Sequence, residues 1–315
     1  MTAYALRRLA LAVPVLFGVT VVVFLVIALV PGDPALAILG SYATPESVAR
    51  LNAELGLDRS LPARYLAWVG AALTGDLGRS YALDRPVLDE VLERLGPTLI
   101  LAAAALTLSV LFGLAAGVAS AVRQNGWVDR TIGLALLLGV STPSFFLGLL
   151  LILWLAVGLG WFPTGGMSAL FGGGGVVDLL RHLVLPAVTL AVVATAILGR
   201  LTRAAMLEVL RQDFVRTARA KGVEEDRVIS VHALKSALVA VVPVIGLQAG
   251  YVLGGAVYVE TVFQWPGVGR MLVEAIGRRD ILLVQGGVLA LATLYVAINV
   301  VADLAQAALD PRLEA

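Results

Sequence analysis

Residues 236–259 read SALVAVVPVIGLQAGYVLGGAVYV, 24 positions without Asp, Glu, Lys, Arg or His. Crossing about 30 Å of hydrocarbon takes about 20 helical residues that carry no charge, so this run suffices for one passage through a bilayer. Five other uncharged runs exist, at 9–32, 95–122, 131–177, 182–199 and 281–302. The composition of the 315 residues agrees: 59% are hydrophobic and 14% charged, with a mean hydropathy of +0.93. A soluble globule carries about a quarter charged residues, so a water-soluble enzyme is excluded. The 23 basic and 22 acidic residues nearly cancel, which leaves no basic surplus to attract nucleic acid. The chain has no Cys, which removes disulfides, thiolate catalysis and Cys-metal sites. Its two His, His182 and His232, stand fifty positions apart and argue against a His-based metal cluster.

The run 131–177 is too long for one crossing and too rich in glycine for two. It reads as one helix at about 133–157, followed by an irregular segment returning to Leu183. Within that segment Pro163 and the glycines at 172–175 are expected to break regular structure. Six spans result, near 9–30, 97–121, 133–157, 184–203, 237–259 and 284–306. The segments 1–8, 122–132, 199–236 and 308–315 hold 13 Lys and Arg in 65 positions. The opposite side, at 31–96, 158–183 and 260–283, holds 10 in 116. The denser side is expected to face the cytoplasm, which puts both termini inside. Trp127, Trp161 and Trp265 fall at span ends. The first span has two readings. Arg7, Arg8 and the small residues Ala35 and Ala37 resemble a cleavable signal, while about 22 apolar residues and the crowding Pro31 and Pro34 favour an uncleaved anchor. The chain thus divides into a tail with span 1 (1–30), an outer loop with short helices (31–96), and a five-span core (97–315) containing a cytoplasmic loop at 204–235.

In the outer loop, Thr44, Pro45 and Glu46 mark a helix start and Gly56 its end. A second helix is expected at 62–73 and a third at 86–95. Nine acids and six Arg make this loop an exposed lid packed on the spans. In the cytoplasmic loop, Leu207, Leu210, Phe214 and Ala218 recur at helical spacing while Glu208, Arg211, Arg216 and Arg219 mark another face. Lys221 suits the negative end of that helix and Gly222 its termination. Glu224, Glu225 and Asp226 then suit the positive end of a second helix. This helix–Gly–helix reads either as an ordinary solvated hairpin or as a docking element. Its small turn of Ala218, Gly222 and Val223 beside charge fits a protein groove better than a phosphate or a metal.

Apart from Arg200 and Arg203 at the inner end of the fourth, the spans hold no Asp, Glu, Lys or Arg before Asp303, so a proton relay through carboxylates is disfavoured. There is no H-E-x-x-H motif and no Walker A sequence, so any driving energy must enter from a partner. Thr107, Ser109, Ser141, Thr142, Thr189, Thr195, Gln248, Tyr251, Tyr258 and Asn299 are among the polar residues within spans, and most are expected to bond between helices. Ser141, Gln248, Tyr251 and Asn299 are the preferred pathway residues. The STPS stretch at 141–144 is expected to loosen the third helix, whereas Pro186 and Pro243 read as start signals.

Seven stretches in order carry a family resemblance: Tyr4 with Arg7 and Arg8, PGDP at 31–34, GDLGRS at 75–80, STPSFF at 141–146, FVRTARAKG at 214–222, ETVFQWPGVG at 260–269 and LDPR at 309–312. Together they resemble the permease subunit of bacterial binding-protein-dependent ABC importers, in the dipeptide, oligopeptide and nickel branch. The resemblance implies an all-α polytopic membrane protein with six transmembrane helices and a type I ABC importer permease fold. The family's cytoplasmic motif, Glu-Ala-Ala, three residues, then Gly, aligns its Gly with Gly222; here Arg216 and Thr217 replace its Glu and first Ala, so the role of that Glu does not pass to Arg216. The coupling residues implied are Phe214, Arg216, Thr217, Ala218, Lys221, Gly222, Val223 and Glu224, seated in a groove of an ATPase subunit. Also implied are a second homologous permease subunit, two ABC ATPase subunits that bind ATP and Mg, an extracytoplasmic substrate-binding protein, and a place in the inner membrane. The chain itself needs no cofactor and does no covalent chemistry. Rival readings are a stand-alone secondary transporter, a membrane scaffold without a pathway, and nickel or sugar import on the same scaffold.

Overall fold

The computed structural model describes residues 2–29, 36, 43–54, 56–169 and 174–309. The expectations attached to PGDP at 31–34, to Ala35 and Ala37, to Gly172 and Gly173, and to Asp310, Pro311 and Arg312 lie outside these residues. The helices are α1 (Thr2–Leu29), α2 (Pro45–Glu54), α3 (Leu61–Leu73), α4 (Val87–Val122), α5 (Trp127–Ser141), α6 (Ser144–Gly158), α7 (Val176–Val209), α8 (Asp213–Ala220), α9 (Glu225–Val262), α10 (Val268–Gly277) and α11 (Ile281–Leu309). Strands β1 (Arg79–Ser80) and β2 (Arg85–Pro86) form a small antiparallel pair with Arg79 opposite Pro86.

Among the described residues, α1, α4, α7, α9 and α11 are each long and apolar enough to cross a membrane. The third expected span departs from its reading. It is a pair, α5 and α6, bent by 107°, and only the pair together makes a sixth crossing. Proline explains the break. Thr142 is held extended at φ −91°, ψ 123°, as a residue before proline prefers, and Pro143 offers no N–H to continue the ladder.

Helix ends also differ from the sequence reading. The expected helix at 86–95 is the first part of α4, which continues through Pro97 for 36 residues, about 54 Å at 1.5 Å per residue. Charge did not end it because the charge is paired: Glu90 lies between Arg85 at 2.9 Å and Arg94 at 2.8 Å. Likewise α7 starts at Val176, not near Leu183. Asp178 in its first turn suits the positive helix end, and its carboxylate accepts from the Ala169 N–H at 2.9 Å. Pro186 and Pro243 consequently lie inside helices rather than at their starts. The cap of α2 is as read: Thr44 Oγ1 accepts from the Ser47 N–H at 3.2 Å, and Gly56 follows the helix at φ +63°.

The chain forms two compact units. Unit 1 comprises residues 1–5, 99–265 and 297–315; unit 2 comprises 6–98 and 266–296. Unit 1 is built around α7, whose buried residues run from His182 to Val209 and pack on α5, α6 and α9. Phe263 and Trp265, from the ETVFQWPGVG stretch, are fully buried there. The Phe263 carbonyl accepts from the Gly166 N–H at 2.8 Å, and Gly165 approaches that carbonyl so closely that no Cβ fits. In unit 2, Leu77, Val87, Val91, Val268, Met271, Leu272, Ala275 and Leu283 form the apolar core. The GDLGRS stretch is tied down by a buried carboxylate: Asp280 accepts from Ser80 Oγ at 2.5 Å and from the Ala82 and Leu283 N–H groups at 3.1 Å.

Candidate functional site: the α8 turn

Helical spacing suggested that Leu207 through Ala218 form one helix. The structure breaks it instead. α7 ends at Val209, residues 210–212 turn, and Gln212 at φ −74°, ψ 151° starts α8. The turn lets Val215 face inward, fully buried against Met206, Val209, Val228 and Ala233. An α-helix continued straight from α7 would not fold back onto those residues. Val215 was absent from the candidates because eight residues of a charged segment do not reveal which side meets the rest of the unit.

The turn after α8 is stiff for identifiable reasons. The Val223 N–H reaches the Ala218 carbonyl at 3.2 Å and the Gly222 N–H reaches the Arg219 carbonyl at 3.0 Å, with Gly222 at φ +76°. This is the Schellman arrangement, in which a left-handed residue lets two terminal carbonyls find donors and the flanking apolar residues meet. Those flanking residues are Ala218 and Val223. Both are half-buried and pack on the same apolar cluster, which leaves Gly222 as the exposed member of the small turn. Across the turn, Arg219 donates twice to Glu225, from Nη2 at 2.6 Å and Nε at 3.0 Å. The Glu225 carboxylate raises the Arg219 pKa through that hydrogen bond. Both side chains are half-exposed, so the pair orients the turn more than it stabilises it.

What α8 presents outward is therefore a defined face. Phe214, Arg216, Thr217, Lys221, Gly222 and Glu224 are exposed. Phe214, Thr217 and Lys221 recur at helical spacing, giving one aromatic ring, one hydroxyl and one ammonium on a single side. An exposed Phe beside cations, on a helix anchored by its opposite face, can dock into a groove on another protein.

A second feature lies at the end of α7 that leads into this element. Asp129 of α5 accepts from Arg203 Nε and Nη2, both at 2.7 Å, from Ser120 Oγ, and from the Asn125 N–H at 2.9 Å. The carboxylate is nearly buried, so one bidentate ion pair joins the end of α4, the start of α5 and α7. It was not among the sequence candidates.

The pathway candidates occupy three helices of unit 1. Gln248 and Tyr251 sit a turn apart on α9: Gln248 is buried, with its Oε1 lacking a partner among the described residues, while Tyr251 is 55% exposed. Ser141 ends α5 and is exposed; Asn299 lies half-buried on α11. On α9, Leu247, Tyr251, Gly254 and Tyr258 form one exposed face. Among the described residues no cluster of three or more His, Asp or Glu could hold a metal ion.

Comparison with known proteins places these features in context. The family described as binding-protein-dependent transport system inner membrane component matches residues 109–315, and its N-terminal counterpart matches 1–102. A dipeptide transport system permease protein of Alkalihalophilus pseudofirmus is 40% identical over the whole length of both chains. A di/tripeptide transport system permease protein of Pseudomonas aeruginosa is 41% identical, with 99% of each chain covered. A putative peptide permease protein of Brucella suis is also 41% identical, covering 100% of this chain and 99% of its own. Among solved structures, a chain of the inward-facing MetNI methionine ABC transporter superposes with a TM-score of 0.57 at 18% identity, covering 70% of this chain and 95% of that one.

Proposed function

The chain belongs to the family of binding-protein-dependent transport system inner membrane components and is a permease subunit of an ABC importer; we propose that its cargo is peptides. The observation that carries the cargo is end-to-end similarity, at 40–41% identity, to permeases named for dipeptide, tripeptide and peptide transport. The energy is proposed to enter through α8. Its inner face is locked by Val215, Ala218 and Val223, so a push on Phe214, Thr217 or Lys221 is passed to α7 and α9 rather than absorbed by a flexible loop. The groove that receives it belongs to an ATPase subunit, which binds ATP and Mg; two such subunits serve the permease pair. The exposed α9 face of Leu247, Tyr251, Gly254 and Tyr258 suits either the second permease subunit or the water-filled path, and Ser141, Gln248 and Asn299 complete the proposed path. The extracytoplasmic binding protein approaches from the side of the 31–96 loop, and both termini lie in the cytoplasm. The permease does no covalent chemistry of its own.

Reconstitution in vesicles tests this. With the second permease subunit, the ATPase subunits and the binding protein, labelled dipeptide should accumulate only when ATP is supplied. Uptake driven by an ion gradient through this chain alone would show a secondary transporter instead.

A further inference from the structure

Within unit 1, α4 and α7 meet along a seam of glycines. A Cβ at Gly113 would come within 2.8 Å of the Leu198 Cβ and 3.2 Å of the Thr195 carbonyl, and a Cβ at Gly117 would overlap Thr202 and the Gly199 carbonyl. On the side of α7 that faces α5, a Cβ at Gly199 would meet the Leu136 side chain at 2.9 Å. Small residues let helices approach this closely. Ser120 continues the glycine face of α4, and Arg203 lies one turn beyond Gly199 on α7. Both bond Asp129, which shares its face of α5 with Leu136. The carboxylate also accepts from the N–H of Asn125 in the turn between α4 and α5. Asp129 is thus the junction of three helices.

The junction sits where α7 gives way to α8. Val209 ends α7 six residues after Arg203, about 9 Å along the axis. On another face of these last turns, Ala205, Met206 and Val209 share an apolar cluster with Val215 of α8 and with Val228 and Ala233 of α9. The end of α7 is therefore held from two directions, by apolar contact with α8 and α9 and by one ion pair with α5. The glycine seam fixes how near α4 and α7 come. The bidentate pair fixes both distance and orientation at the inner ends of the helices, next to α8. Resting on the proposed entry of energy through α8, we infer that Asp129 and Arg203 are positioning residues for transport: they make the inner ends of α4 and α5 follow α7 when α8 is displaced. Without the pair, the end of α7 follows α8 while α5 lags, and ATP is hydrolysed with less transport.

The test measures labelled dipeptide taken up per ATP hydrolysed by the assembled transporter in vesicles, with equal amounts of complex in each preparation. Asp129→Asn keeps the shape of the side chain and an acceptor for Ser120 and Asn125 while removing the charge that holds Arg203. It should lower the ratio about fivefold, and Arg203→Gln should do the same. Arg203→Lys keeps a cation but not the two-pronged geometry, so its ratio should lie between Arg203→Gln and the unaltered chain. Leu185→Ala is the control for lost stability. It opens a cavity in the buried part of α7, about 27 Å along the axis from Arg203, and its ratio should match that of the unaltered chain. An unchanged ratio in Asp129→Asn, or an equal fall in Leu185→Ala, overturns the assignment. Gly222→Ile in the same assay separates the pair from the reading beneath it. A fall in Gly222→Ile with none in Asp129→Asn overturns the role of the pair alone, and no fall in either overturns both.

Discussion

Arg203→Ala is expected to destabilise the detergent-solubilised chain by about 2–3 kcal/mol, read as a fall in melting temperature. The loss comes from what is left behind. Asp129 is 8% exposed and would keep only Ser120 Oγ and the Asn125 N–H as donors once both guanidinium bonds are gone. Removing one member of a fully buried pair costs about 3–5 kcal/mol, most of it the penalty of an uncompensated charge. The figure here is lower because the Arg203 side chain keeps 32% of its exposure, so water screens part of the interaction. Asp129→Ala/Arg203→Ala removes both charges and should be less destabilised than the two single changes added together, by at least about 1 kcal/mol. Additivity within about 0.5 kcal/mol would show that the pair is not an energetic unit.

Gly222→Ile is expected to cut ATP-dependent uptake at least tenfold while ATP hydrolysis by the assembled transporter continues. Nothing lies within 4 Å of the position a Cβ would take, so the effect is not a clash. The obstacle is φ +76°, a left-handed conformation that costs a β-branched residue about 1–2 kcal/mol or more. The chain escapes that cost by unwinding the turn, which releases the Val223-to-Ala218 bond and the inward seat of both side chains. Gly222→Asn is the control. Asn tolerates the left-handed region through local hydrogen bonding, so its uptake should stay near that of the unaltered chain. Equal uptake in the Ile and Asn variants would show that the turn does not transmit force.

Absence of charge located the spans because a lone charge in hydrocarbon is expensive. It did not locate their ends, because a paired charge at a helix end is tolerated. α4 begins before Glu90, Glu93 and Arg94 and includes them, and α7 includes Asp178 at one end and Arg203 at the other. Pro143 announced a break, but the bend of 107° depends on how α5 and α6 each pack on α7, which local sequence does not encode. Gly222 marked the turn after α8 correctly, since a helix end needing positive φ leaves a local signature. The inward facing of Val215, Ala218 and Val223 left none, because a helix this short takes its orientation from its tertiary partners. The Asp129–Arg203 pair was beyond reach for a simpler reason. Its members are 74 positions apart, and each looks like an ordinary charge at a loop margin.

The most direct measurement of where energy enters exploits the absence of cysteine from the chain. Thr217→Cys, on the exposed side of α8, gives a single thiol that can carry a photo-cross-linker in the assembled transporter. A cross-link to an ATP-hydrolysing subunit, together with protection of the thiol from a membrane-impermeant maleimide added outside intact cells, is the expected result. Labelling from outside, or a cross-link yield to that subunit no higher than from a cysteine placed at Leu66, would contradict it.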